Sequence, residues 1–304
     1  ANFVLNREDK IFGPHKDPFT MPMRMHTGYT ATEATHISSA ALCGSCHTVI
    51  THPPEASGQS RPFLEQAPYI EWVASSYSDA ASGRTCQSCH MPSLRHAQYI
   101  AHRPPGGPFP PTEPRSPFHQ HTFAGANTLL PRLATGDDEA RRAQWDRNLE
   151  QLRSALRLDA SWRRQGDTAL ELSVDIHNRT GHKLPTAYPG RRMWIHVSAF
   201  DSAGKNVFDS GAFDPDTARL VSGEQSQSHY ARIEVPTEVQ VFEARTMERD
   251  GKHGKSLLRA AAFSKDNRIL PSGYDAKRLV AAGLAAFSVE PVGVGDAAAD
   301  QFLP

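Results

Sequence analysis

The sequence predicts an α+β chain in two parts: a loop-rich, mostly helical domain over residues 1–154 and an immunoglobulin-like β-sandwich over residues 155–304. Three observations lead there. The first 121 residues hold 10 of the 15 histidines and every cysteine, among prolines such as Pro104-Pro105 and Pro110-Pro111 that limit regular structure. A helical apolar period runs across residues 137–153 and gives way near residue 155 to strict alternation. Beyond that point short apolar runs and turn signals take turns, the pattern of a sandwich built from several short strands.

In chain order, a short helix is expected over 38–47, where Ser38 or Ser39 can cap the first turn. A second is expected over 65–76, with Tyr69, Trp72 and Val73 on one face. The third, 137–153, opens on Asp137-Asp138-Glu139, whose charge suits the positive end of a helix. Trp145, Leu149, Leu152 and Leu156 follow at helical spacing. Leu156, Leu158, Ala160 and Trp162 then alternate with polar residues. After the turn Gln165-Gly166-Asp167, so do Leu170, Leu172, Val174 and Ile176, which reads as a β-hairpin. Further strands are expected at 192–200, 206–208, 230–235, 238–244, 257–263 and 284–289. This half holds no cysteine, so packing alone must hold its sheets.

All four cysteines fall in two copies of one pattern, Cys43-Gly44-Ser45-Cys46-His47 and Cys86-Gln87-Ser88-Cys89-His90. Cys-x-x-Cys-His reads as covalent attachment of haem c: two thiols add to the two vinyl groups, and the adjoining histidine binds iron from the proximal side. Two haems per chain are therefore expected, with His47 and His90 as proximal ligands. A four-cysteine zinc site would use both Cys-x-x-Cys pairs but leaves the two histidines unexplained. A thioredoxin-like motif needs no following histidine either. Each macrocycle offers a large apolar surface, so a chain rich in Pro, Gly and His can collapse around cofactors rather than around its own side chains.

The sixth ligand of each iron decides between electron transfer and catalysis, because two strong axial ligands close the iron to substrates. His121 and His36 are the leading candidates, with His26 and His182 behind them. His119, beside His121, belongs to the same supply, and Met21, Met23 and Met25 offer a less favoured alternative. Arg191 and Arg192 suit haem propionates by bidentate pairing, or form an ordinary exposed strand start. No nucleophilic triad, phosphate-binding glycine loop or pair of catalytic carboxylates emerges.

The net charge is zero, so no charged field argues for nucleic acid, and no run of 18 apolar residues predicts a membrane-spanning helix. Residues 1–7 lack the apolar core of a signal peptide. Haem attachment is completed outside the cytoplasm, so a periplasmic or extracellular protein is expected, as a mature chain or a piece of a longer one.

Several segments carry a resemblance. Gly13-Pro14, His26-Thr27-Gly28-Tyr29-Thr30, residues 42–48, residues 63–72, Cys86-Gln87-Ser88-Cys89-His90-Met91-Pro92, residues 121–127, residues 178–186 and residues 265–271 resemble periplasmic or surface multihaem cytochromes c. The first domain is then a multihaem cytochrome c domain. The Cys-x-x-Cys-His-Met-Pro string is also similar to pentahaem nitrite reductases and hydroxylamine oxidoreductases, where a histidine downstream of such a motif ligates a neighbouring haem. That resemblance implies His121 as a cross-ligand, and His26, His36 and His182 as candidates. No Cys-x-x-Cys-Lys occurs, so the active-site haem of those nitrite reductases is not implied. Dihaem peroxidases place their two motifs in separate domains, whereas here they lie 43 residues apart.

The resulting expectation is a bis-His dihaem electron-transfer cytochrome working by haem-to-haem hopping. Its partners would be redox proteins, other haem cytochromes among them, in a homo-oligomer or larger multihaem assembly. A multihaem oxidoreductase with one open iron, and a subunit of a cytochrome polymer, are the alternatives.

Overall fold

The computed structural model describes residues 7–54, 62–100, 112–134, 136–223, 227–254 and 256–284. In chain order they form β1 (Lys10–Gly13), α1 (Met21–Thr27), β2 (Thr30–Glu33), α2 (Ala40–Gly44), β3 (Val49–Thr51), β4 (Phe63–Gln66), α3 (Pro68–Val73), α4 (Cys86–His90), α5 (Leu130–Leu133) and α6 (Asp138–Ser154). The strands β5 (Leu156–Gln165), β6 (Ala169–Asn178), β7 (Arg192–Trp194), β8 (Val197–Phe200), β9 (Asn206–Ser210), β10 (Val241–Glu248) and β11 (Ala260–Asp266) follow, and α7 (Lys277–Ala281) comes last. Among the described residues no helix is long and apolar enough to cross a membrane.

The chain divides into two compact units, each drawn from two stretches of sequence. The first takes in Ala1–Cys46 and Ser76–Arg179; the second takes in His47–Ser75 and Thr180–Pro304.

In the first unit, β1 and β2 pair in parallel, with α1 as the crossover. Gly28 adopts φ +80 and ends α1 by donating its N–H to Arg24 O at 3.1 Å. The helix expected over 38–47 is shorter: α2 starts after Ser39, whose Oγ accepts from Ala41 N at 3.2 Å. The long helix is α6, capped by Asp137, whose Oδ1 accepts from Glu139 N at 3.0 Å. The hairpin β5–β6 runs in unbroken antiparallel register from Leu156↔Asn178 to Gln165↔Ala169.

In the second unit, β10 lies between β11 and β7, with both neighbours antiparallel. Two smaller antiparallel pairs accompany it, β3–β4 and β8–β9. One apolar cluster joins Ile70, Val73 and Ala74 of the α3 region to Leu279 of α7. A second gathers Phe63, Ala244, Ala260 and Phe263, and a third gathers Leu220, Val239 and Val241 against Trp194.

The predicted fold class needs correction on both halves. The first part is not mostly helical: α1, α2, α4 and α5 have seven residues or fewer, because proline-dense irregular chain leaves no room for more. The second part is no immunoglobulin-like sandwich, since the described strands form small sheets of two or three strands. Among the described residues no second sheet covers the alternation in β5–β6, and Leu158 is 52%, Trp162 73% and Leu170 71% exposed.

Local differences have local causes. The segment expected to be helical from 65 begins as β4, because it pairs with β3, and α3 starts at Pro68, where a missing N–H costs nothing. The strand expected at 192–200 breaks in two, β7 joining β10 and β8 joining β9. Residues 230–235 form no strand, because side chains take up their backbone donors: Gln240 Oε1 accepts from Tyr230 N at 2.6 Å, and Glu238 Oε2 accepts from Glu234 N at 2.9 Å. The strand expected at 284–289 falls outside the described residues after Leu284.

Candidate haem-attachment site

The second motif is the helix α4. Thr85 caps it, its side chain accepting from Ser88 N at 3.3 Å. Helical spacing puts Cys86, Cys89 and His90 on one face, as two thiols and an imidazole must be to address a single ring. The first motif starts in α2 and continues through a turn in which Cys46 N donates to Cys43 O at 3.1 Å. The two helices pack together. Gln87 reaches from α4 to donate to Ile37 O at 3.1 Å and Ser39 O at 2.9 Å, just before α2. The leading cysteines also meet. The Cys86 thiol donates to the Cys43 sulfur, which holds Cys43 down at about 7. That bond, with burial adding to it, pushes Cys86 up.

A clamped loop follows α4 in space. Residues 118–120 bridge back to 92–94: Leu94 N donates to Phe118 O at 3.0 Å, and Gln120 N to Pro92 O at 2.9 Å. His90 and Ala124 exchange bonds, Ala124 N donating to His90 O at 2.9 Å and His90 Nδ1 to Ala124 O at 2.7 Å. From α6, buried Asn148 accepts from Gly125 N at 3.1 Å and donates to Asn127 O at 2.5 Å, and Gln144 donates to Thr122 O at 2.9 Å. Held this firmly, Phe123 sits at φ +48, a left-handed conformation that costs a bulky residue about 1–3 kcal/mol.

A carbonyl can only accept, so His90 Nδ1 must carry the proton, and in the neutral ring Nε2 holds the lone pair. This is the arrangement of a metal-ligating histidine. His182 shares it: its Nδ1 donates to Lys183 O at 3.1 Å, while Thr180 Oγ1 donates to His182 O at 2.7 Å. So does His119, which the sequence reading set behind His121; its Nδ1 donates to Met91 O at 2.7 Å. Among the other candidates, His121 is exposed and stacks on Phe123 at 5.9 Å. His36 is exposed and meets Phe12 edge-on at 5.6 Å, and His26 is exposed near the end of α1. His47 is exposed, and the boundary between the units falls between Cys46 and His47.

Arg191 is exposed, and the Arg192 guanidinium lies over Trp194 at 5.4 Å. His102 falls outside the described residues.

The residues fit haem on two counts. Buried side-chain atoms without a hydrogen-bond partner include Thr48 Oγ1, Gln87 Oε1 and Thr122 Oγ1, each beside a motif or the clamped loop. Ala40 and Ala124 are the buried apolar side chains of the first unit among the described residues, while Phe12, Leu42, Phe123, Leu129, Leu130 and Leu133 stand exposed there. Among the described residues, no three His, Cys, Asp or Glu side chains gather closely enough to hold a metal ion.

Sequence reading missed a second polar site. In the second unit Glu71, Lys183, Asp266 and Arg268 are all buried. Asp266 accepts from Lys183 Nζ at 2.8 Å and from Arg268 Nε and Nη2, each at 2.8 Å. Glu71 accepts from Arg268 Nη1 at 3.1 Å, from Lys183 N at 3.0 Å and from Thr186 Oγ1 at 2.7 Å. Burial alone would raise the Asp266 carboxyl; Lys183 and Arg268 overcome it and hold that carboxyl well below the usual range. These residues lie within 69–72, 180–186 and 265–271, three segments that meet in a buried ionic latch.

No protein-family model matches the chain, and no curated protein matches it. Among solved structures, the chain is similar to a penta-heme cytochrome c552 from Thermochromatium tepidum, with 14% identity and a TM-score of 0.49 over 88% of this chain. It spans 55% of that structure's chain.

Proposed function

We propose that this chain is a c-type cytochrome with two covalently bound haems that transfers electrons, both irons being held by two histidines. One observation carries the reading: the four motif cysteines and His90 lie on or directly after two packed helices in a unit that, among its described residues, buries no large apolar side chain of its own. A unit built so needs apolar surface from elsewhere, and a haem supplies it.

Cys43, Cys46, Cys86 and Cys89 form the thioethers, and His47 and His90 hold iron from the proximal side. The Ala124 carbonyl fixes the His90 tautomer and raises its basicity. His121 and His36 lead as distal ligands, with His26 and His182 behind them, and Arg191 and Arg192 are propionate partners. Bound haem c supplies a one-electron iron couple, and two such groups let an electron pass from one iron to the other. The protein fixes their spacing and tunes their potential through ligands, burial and nearby charge. The setting is periplasmic or extracellular, and the partners are redox proteins, haem cytochromes among them.

Mass spectrometry of the denatured protein tests the reading. Two haem additions per chain are expected. Bound zinc, or haem that acid-acetone extracts, would overturn it.

A further inference from the structure

We infer that His119, in place of His121, is an axial ligand of a haem iron, through Nε2, an assignment that rests on the haem reading above. Histidines whose rings hydrogen-bond to protein groups sort into three groups. His177 and His196 donate Nε2–H to Asp159 and Asp209, at 3.0 and 2.8 Å, which commits that nitrogen to a carboxylate. His229 Nδ1 accepts from Gln240 Nε2 at 2.8 Å and from Asn267 Nδ2 at 3.2 Å, so its proton sits on Nε2. His90, His119 and His182 instead donate Nδ1–H to a main-chain carbonyl and leave the lone pair on Nε2. That third group is how proteins hold a histidine for a metal. Of its members, His90 is the expected proximal ligand and His182 a candidate distal one. The third is His119.

The placement agrees. The acceptor is Met91 O, on the residue directly after the second attachment motif. The ring is half-buried, and its backbone is pinned on both sides by the bridge to residues 92–94. His121, two residues on, has an exposed ring stacked on Phe123. Ordering a side chain costs entropy, and an iron ligand is best ordered before the metal arrives. His119 already is.

The experiment uses the haem-loaded full chain. His119→Asn keeps a side-chain N–H that can bond Met91 O but removes the iron-binding nitrogen. Its haem content should match the parent's. One iron per chain should turn high-spin in the oxidised electron paramagnetic resonance spectrum, and the reduced protein should bind one carbon monoxide. Added imidazole should restore the low-spin signal. An Asn variant with the parent spectrum would show that His119 only pins the loop and overturn the assignment. His119→Met covers poor accumulation of the Asn variant: it should stay low-spin with a raised midpoint potential, and an unshifted potential would count against the ligand. An unmutated chain without covalent haem removes the motif reading itself, a failure distinct from either result.

Discussion

The two units reach compactness by different means. The second buries Phe63, Ile70, Val73, Val241, Phe263 and Leu279 in its clusters, and buries its ionic latch as well. The first, among its described residues, buries Ala40 and Ala124 as its apolar side chains, both beside the attachment residues, and holds its loops by hydrogen bonds to backbone carbonyls. Hydrogen bonds add about 1 kcal/mol each and direct a chain rather than collapse it. A unit organised so is a set of directed walls around something apolar. The second unit needs no such guest. Folding and haem binding should thus be one event in the first unit and separate matters in the second.

The largest effect that could break this contrast comes from the attachment residues. Cys86→Ser with Cys89→Ser should remove one haem and melt the ordered structure of 84–100 and 112–127, while the β10 sheet persists; circular dichroism and haem content check both. Equal loss across both units would contradict the division.

Next is the latch. Asp266→Ala leaves Lys183 and Arg268 buried without their carboxylate, and denaturant unfolding of the second unit should show a loss of about 3–5 kcal/mol. The native carboxyl lies below its unfolded value. Its contribution is therefore complete above the unfolded pKa of about 3.9 and is lost as the pH falls from there toward the folded value. The parent should lose stability below about pH 4 more steeply than the Ala variant, whose acid limb is flatter.

Asn148→Ala should cost less, about 1–3 kcal/mol, by stranding Gly125 N–H and Asn127 O. Because Gly125 adjoins Ala124, whose carbonyl holds His90, the haem-loaded variant should show a broadened low-spin signal. An unchanged signal would mean that α6 supports only the backbone. Trp162→Ser should change least, within about 0.5 kcal/mol, since the indole is 73% exposed.

What could be read from the sequence follows the same division. Covalent chemistry and local periodicity were legible: the two motifs, α6 with its Asp137 cap, and the hairpin β5–β6 all come from residues close in the chain. Burial was not. Alternation in β5–β6 reads like a strand facing a core, but its partner layer is missing among the described residues. Residues 230–235 have strand-like composition, yet Gln240 and Glu238 claim their backbone. The latch joins Glu71 to Arg268 across most of the chain, a pairing that no local pattern announces. His119 was passed over for a related reason: its signal is one hydrogen bond to Met91 O, invisible in a string where His121 has the more familiar neighbours.

Hydrogen exchange on the full chain, prepared with and without haem, tests the central contrast most directly. The account predicts that, without haem, amides of residues 84–100 and 112–127 exchange near unfolded rates while those of β10 and β11 stay protected, and that loading haem protects the first set by orders of magnitude. Equal protection of residues 84–100 and 112–127 in the haem-free chain would show a self-sufficient core there and contradict the account.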